Sequence, residues 1–192
     1  MHRKLQLHPS FSIAVLYYLF TQQFFLYSLL IFSLIVHEFG HLIVARLLKV
    51  PLRKLVILPF GGQLHFMPSE DWKYLFIACG GPLFTLILLV IAVMLQWYEL
   101  VLLQLLLITF NGLPIWPLDG GKILFYTVQN FYKQRIYETF IEFSMYGAIL
   151  LFCAVVLFRM PLFLIFMCGV LVVETVQHFR FRKYALALRK FY

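Results

Sequence analysis

Long apolar stretches separated by short polar connectors run through the chain. Six of them read as membrane spans, near residues 10–21, 24–48, 72–96, 98–113, 138–158 and 160–178. Crossing a hydrocarbon core of about 30 Å takes about 20 helical residues, and the first and fourth stretches are the shortest of the set. Helix is the expected form, because lipid offers no partner for an unpaired backbone N–H or C=O. The pattern changes between the second and third spans, where Leu52 to Leu58 reads as a strand and Gln63 to Met67 alternates polar with apolar. Gly61-Gly62 between them is a turn signal, so a β-hairpin is expected over Pro51 to Pro68. Its exposed edge would suit an extended peptide, and a connector that merely covers the bundle fits the same residues. The fold class expected is an all-α polytopic membrane protein of about six transmembrane helices with a small cytosol-facing β-hairpin or sheet element. Residues 1–192 would form one intramembrane domain, with no internal repeat.

Composition agrees with this reading. Of the 192 residues, 63% are hydrophobic and only 12% charged, about half the charged share of a soluble chain. The net charge of +8 invites a nucleic-acid reading, but the basic residues follow membrane topology instead. With the N-terminus in the cytosol, fifteen of the sixteen Lys and Arg fall on that side and only Arg159 opposite. The positive-inside rule therefore puts both termini in the cytosol, and the basic tail at 179–192 against anionic headgroups. Met1-His2-Arg3-Lys4 leads into an apolar segment without a small-residue cleavage site, so the start is expected to be retained. Cys79, Cys153 and Cys168 all fall within spans, without metal or disulfide spacing, and read as packing residues.

Inside the second apolar stretch stands His37-Glu38-Phe39-Gly40-His41. On a helix the two imidazoles are at i and i+4, on one face, and can share one metal ion. Glu38 follows the first of them and is placed to take a proton from an attacking water. An acidic residue at the bilayer centre costs about 2.5–3.5 kcal/mol on insertion scales, so it marks a site. A catalytic zinc takes a third protein ligand and keeps one position open. Asp119, in Asn111-Gly112-Leu113-Pro114-Ile115-Trp116-Pro117-Leu118-Asp119-Gly120-Gly121, is the strongest candidate. Two prolines break the fourth span there, and non-helical backbone could carry the carboxylate toward the metal. An ordinary Asp-Gly turn accounts for the same residue.

Asn111 suits an amide that binds the substrate backbone or a developing oxyanion, or a helix-to-helix hydrogen bond. His65 reads as a surface residue of the hairpin, and Glu174 and His178 as residues that snorkel or pair with the basic tail. Gly80-Gly81-Pro82, inside the third span, serves helix packing or shapes a cavity beside the metal.

At these residues the chain resembles the site-2 protease family of intramembrane zinc metalloproteases. The resemblance rests on His37 to His41, on Leu58-Pro59-Phe60-Gly61-Gly62, and on Asn111 to Gly121 with its Pro-Leu-Asp-Gly-Gly core, and it covers essentially the whole chain, His8-Pro9 included. It implies one zinc per chain held by His37, His41 and Asp119, with Glu38 as general base. Substrate contacts are expected at Asn111 and Pro114 and along Gly61, Gly62 and Gln63. Members cut membrane-associated proteins. The sporulation members release a sigma factor from its precursor at the mother-cell-derived membrane around the forespore, where inhibitory membrane partners act. Position 85 departs from the pattern, with Thr85 where an asparagine is common. Sporulation members also carry a nucleotide-sensing CBS domain after the spans; the sequence stops at Tyr192, so no ATP dependence is expected of these residues.

The function expected is therefore an intramembrane zinc endopeptidase acting on an extended, membrane-associated substrate, because a helical backbone hides its carbonyls in hydrogen bonds. Two rivals use the same residues. A metal transporter would spread acidic residues and histidines through the bundle, whereas here they concentrate in two places. A non-catalytic scaffold has no use for Glu38, which ligation does not require.

Overall fold

Helix α1 (Phe24–Leu47) is apolar on nearly every face, as a lipid-embedded helix is. Phe32, Ile35 and Phe39 stay exposed along it, where a water-soluble helix would be polar. The computed structural model describes residues 5–7, 24–58, 61–67, 69–131, 135–160 and 162–189. They fall into two compact units, Met1–Gly112 and Leu113–Tyr192.

In the first unit, strand β1 (Leu5–Leu7) precedes α1, and β2 (Leu52–Leu58) and β3 (Gly61–Phe66) follow it. Helices α2 (Asp71–Met94) and α3 (Tyr98–Asn111) are its other described elements. The expected hairpin is present as an antiparallel β2–β3 pair, Val56 opposite Gln63 and Leu55 opposite Leu64. Two features differ from expectation. Gly61 and Gly62 are the first residues of β3 rather than a turn. The sheet also has a third strand, β1, parallel to β2 with Leu5 opposite Leu55. That pairing joins segments some fifty residues apart, which local periodicity does not register. Among the described residues β3 is one edge of the sheet.

Helices α1 and α2 cross where Gly40 meets Gly80. A Cβ on Gly80 would lie 2.7 Å from the Gly40 carbonyl oxygen, so the two backbones touch. On one side of this crossing Ala45, Val50 and Ile77 form a buried cluster; on the other, Leu29, Leu88, Ala92 and Leu100 do. Pro82 lies inside α2 and the helix runs through it unbroken. α1 ends in a Schellman motif, with Val50 N–H bonded to Ala45 O at 2.9 Å and Lys49 N–H to Arg46 O at 3.1 Å. Lys49, at φ 57°, takes the left-handed position usually given to glycine, and Gln96 at φ 53° and Arg159 at φ 51° do the same after α2 and α5.

The second unit holds α4 (Asp119–Phe131), α5 (Arg135–Leu157) and α6 (Leu162–Arg189). α6 continues well past the expected span end at 178, so the basic tail begins as helix. Among the described residues four stretches are long and apolar enough to cross a membrane: Phe25–Leu47, Asp71–Met94, Thr139–Leu157 and Leu164–Phe181. The chain is accordingly an integral membrane protein. Of the six spans expected, the fourth is the 14-residue helix α3, shorter than these. The first, at 10–21, lies outside the described residues together with His8-Pro9. α3 is short because Gly112 and Pro114 follow it directly.

Candidate metal centre

His37 and His41 project from α1 toward α2 and are both buried. Each ring is held through Nδ1. His41 Nδ1 lies 2.6 Å from the Ile77 carbonyl oxygen, and a carbonyl only accepts, so this nitrogen carries the proton. The nearby Gly81 N–H, 3.2 Å from the same nitrogen, therefore finds no lone pair there. His37 Nδ1 lies 2.8 Å from Thr85 Oγ1. The Thr85 hydroxyl donates to the Gly81 carbonyl at 3.0 Å and so offers His37 Nδ1 a lone pair; with both Nδ1 atoms donating, each neutral ring presents an Nε2 lone pair, and the two Nε2 atoms stand 3.3 Å apart. Two nitrogens each about 2.05 Å from one tetrahedral ion would be about 3.3 Å apart. Lone pairs converging at this spacing suit a shared cation, so the imidazole pair fits zinc.

Gly81 leaves the room such an ion needs. A Cβ built there would fall 2.6 Å from His37 Nε2 and closer still to His41 Nε2. The glycine pair read from the sequence thus divides its labour: Gly80 lets the helices touch and Gly81 leaves space beside the imidazoles.

Glu38, half-buried, accepts a hydrogen bond at 2.7 Å from the backbone N–H of Gly62. A side chain at 62 would crowd it, since a Cβ there would lie 3.1 Å from Glu38 Cδ and 3.0 Å from Leu55 Cδ1. The glycine serves this close approach, which explains why it belongs to a strand. Gly61 and Gln63 flank it in β3, opposite Leu58 and Val56. His65 is exposed, as expected.

Asn111, the last residue of α3, is buried. Gln104 donates to Ser33 Oγ at 2.7 Å, an offset of 71 positions, and Leu100 joins Leu29 in one cluster at the same offset. The two helices therefore run parallel, and the offset carried forward puts Asn111 level with Gly40, between the histidines.

In the second unit, Asp119 is buried as the first residue of α4. This corrects the expectation of a carboxylate on non-helical backbone: the irregular stretch is 112–118, and Asp119 follows it at a helix N-terminus, where a negative charge is favoured. Lys122 Nζ lies 3.1 Å from its Oδ1. Gly121 permits the chain to fold over this turn, because a Cβ there would lie 2.5 Å from the Ile115 carbonyl. Thr175 Oγ1 lies 2.9 Å from the Trp116 carbonyl oxygen, tying the stretch to α6. Pro114 is exposed. Glu174 does not snorkel: it is buried, and the His178 ring packs edge-on against Trp116 at 5.8 Å. α6 turns Thr175 and His178 toward Trp116. Sequence reasoning missed the Thr85 and Ile77 anchors and the Gly62 N–H; their only signals were a departure at 85 and the glycines.

The chain matches Peptidase family M50 over residues 24–100 and 94–155, and it belongs to that family. It is 36% identical over 113 residues to a zinc metalloprotease of Methanocaldococcus jannaschii, covering 52% of this chain and 33% of that protein. It is 32% identical over 174 residues to stage IV sporulation protein FB of Bacillus subtilis, covering 83% of this chain and 59% of that one. The chain thus spans a third to three-fifths of these relatives. Among solved structures it resembles a site-2 protease from Methanocaldococcus jannaschii, with a TM-score of 0.74 and 25% identity over 91% of this chain and 90% of that one.

Proposed function

We propose that this protein is an intramembrane zinc endopeptidase of the site-2 protease type that cleaves a membrane-associated precursor. The observation that carries this reading is the buried imidazole pair within a lipid-spanning helix, both rings held so that Nε2 lone pairs converge. His37, His41 and Asp119, each buried and each offering one ligand atom, are the proposed ligands of one zinc per chain. When bound, zinc would supply Lewis acidity at the scissile carbonyl and lower the pKa of water beside it. Glu38 takes the proton from the attacking water and returns it to the departing amine nitrogen, while the Gly62 N–H keeps its carboxylate in place. Asn111, at the depth of the histidines, is placed to hold the substrate backbone, with Pro114 close by in sequence at the end of the same segment.

The substrate approaches from the cytosolic side, on the charge asymmetry of the connectors. Only Leu42 to Leu48 separate His41 from the basic connector, about 10 Å at helical rise. An extended segment would add to the β3 edge along Gly61, Gly62 and Gln63. Similarity to the sporulation protein favours a sigma-factor precursor as substrate, cut at the membrane around the forespore under the control of inhibitory membrane partners. The test is co-expression of the intact chain or Glu38→Gln with such a precursor, the product mass being read directly. Glu38→Gln should keep zinc and lose about 10²–10⁴-fold in cleavage rate; full turnover by this variant would reject the assignment.

A further inference from the structure

We propose that Thr85 is the positioning residue that holds His37 in its metal-binding tautomer. The inference rests on the reading of His37 as a zinc ligand. Thr85 lies on α2 one turn beyond Gly81 and is 1% exposed. Its hydroxyl has one proton, and Oγ1 lies 3.0 Å from the Gly81 carbonyl oxygen, which can only accept. The proton is therefore committed to that carbonyl, and what Oγ1 offers His37 Nδ1 at 2.8 Å is a lone pair. Nδ1 must donate, so the proton sits there and Nε2 is left as the ligand atom. Without the oxygen, a buried Nδ1–H loses its acceptor, and the alternative tautomer, with its proton on Nε2, cannot bind metal.

The two histidines differ here. His41 is oriented by the backbone carbonyl of Ile77, which no side-chain substitution removes. His37 Nδ1 faces the Thr85 hydroxyl, a side-chain group that substitution can remove. Groups that orient metal-binding imidazoles typically contribute about 10–100-fold in metal affinity.

The experiment measures zinc affinity of the purified full chain by chelator competition for Thr85→Val, Thr85→Ala and Thr85→Ser. Val keeps the shape without the oxygen, Ala removes both, and Ser keeps the oxygen. Affinity should fall about 10–100-fold in Val and Ala alike and stay within about threefold of wild type in Ser. Imidazole ¹⁵N spectra of the metal-free protein should show a single Nδ1–H tautomer for His37 in wild type and Ser, and a mixture in Val and Ala. Unchanged affinity in Val and Ala overturns the proposal, and so does a loss in Val alone, which would mark a steric cause. His37→Ala separates this inference from the metal reading. If it abolishes zinc binding while Thr85→Val does not, only the role of Thr85 falls. If it too leaves zinc unaffected, the metal reading falls and takes the inference with it.

Discussion

Alanine at position 81 should remove the metal while leaving the fold intact. The added Cβ would stand 2.6 Å from His37 Nε2 and nearer to His41 Nε2, whereas ordinary contact begins near 3.4 Å. The His37 ring alone must retreat by about 0.8 Å, four times the roughly 0.2 Å tolerance of a zinc–ligand distance. Both imidazoles are pushed at their ligating atoms, so the loss should reach or exceed the upper end of the 10–100-fold range, about 100-fold. Overpacking costs about 1–3 kcal/mol, while replacing glycine within a helix returns up to about 1 kcal/mol. The net destabilisation is then about 0–3 kcal/mol. Gly147→Ala is the control, because a Cβ there meets nothing closer than 3.5 Å, and it should leave zinc affinity unchanged. The assay is chelator competition on purified protein, with helix content checked by circular dichroism. Zinc affinity of Gly81→Ala within threefold of wild type would refute the reasoning.

Three further outcomes are expected. Asp119→Ala should lower zinc affinity, and unchanged metal content would move the third ligand elsewhere. Because the Gly62 N–H points to Glu38 and away from β2, alternation turns the Leu64 N–H outward as well. Leu64→Pro should therefore slow cleavage by about 2–13-fold, the equivalent of one backbone hydrogen bond of about 0.5–1.5 kcal/mol, with zinc retained; undiminished cleavage, or crosslinking of substrate only near Gln96–Glu99, would reject the edge route. Gln96→Gly should raise the thermal midpoint by relieving the left-handed backbone at φ 53°, a gain of about 1 kcal/mol, and an unchanged or lower midpoint would contradict it.

What the sequence alone determined was whatever depends on neighbours along the chain. The apolar run lengths specify helices, the i, i+4 spacing puts both imidazoles on one face, and the short, mostly apolar stretch from Leu52 to Leu58 before a Gly-Gly pair specifies a strand. The Asp-Gly-Gly segment could be singled out from its prolines and glycines, but its local form could not. Asp119 opens a helix because the chain first turns over Gly121 and is tied at Trp116 by Thr175, a residue 59 positions away. Tertiary structure likewise decided why Gly62 is glycine. Its residue type made it look like a turn residue, whereas the requirement comes from a glutamate 24 positions earlier that its backbone N–H must reach. Gly80 and Gly81 look equivalent in sequence, yet one faces a helix backbone and the other the imidazole nitrogens. Thr85 lies in the middle of an apolar span and gains its meaning from His37, 48 positions away. Periodicity reports which face of a segment is apolar; it carries no information about which distant backbone will come within 3 Å of that face, and that approach is what shapes this site.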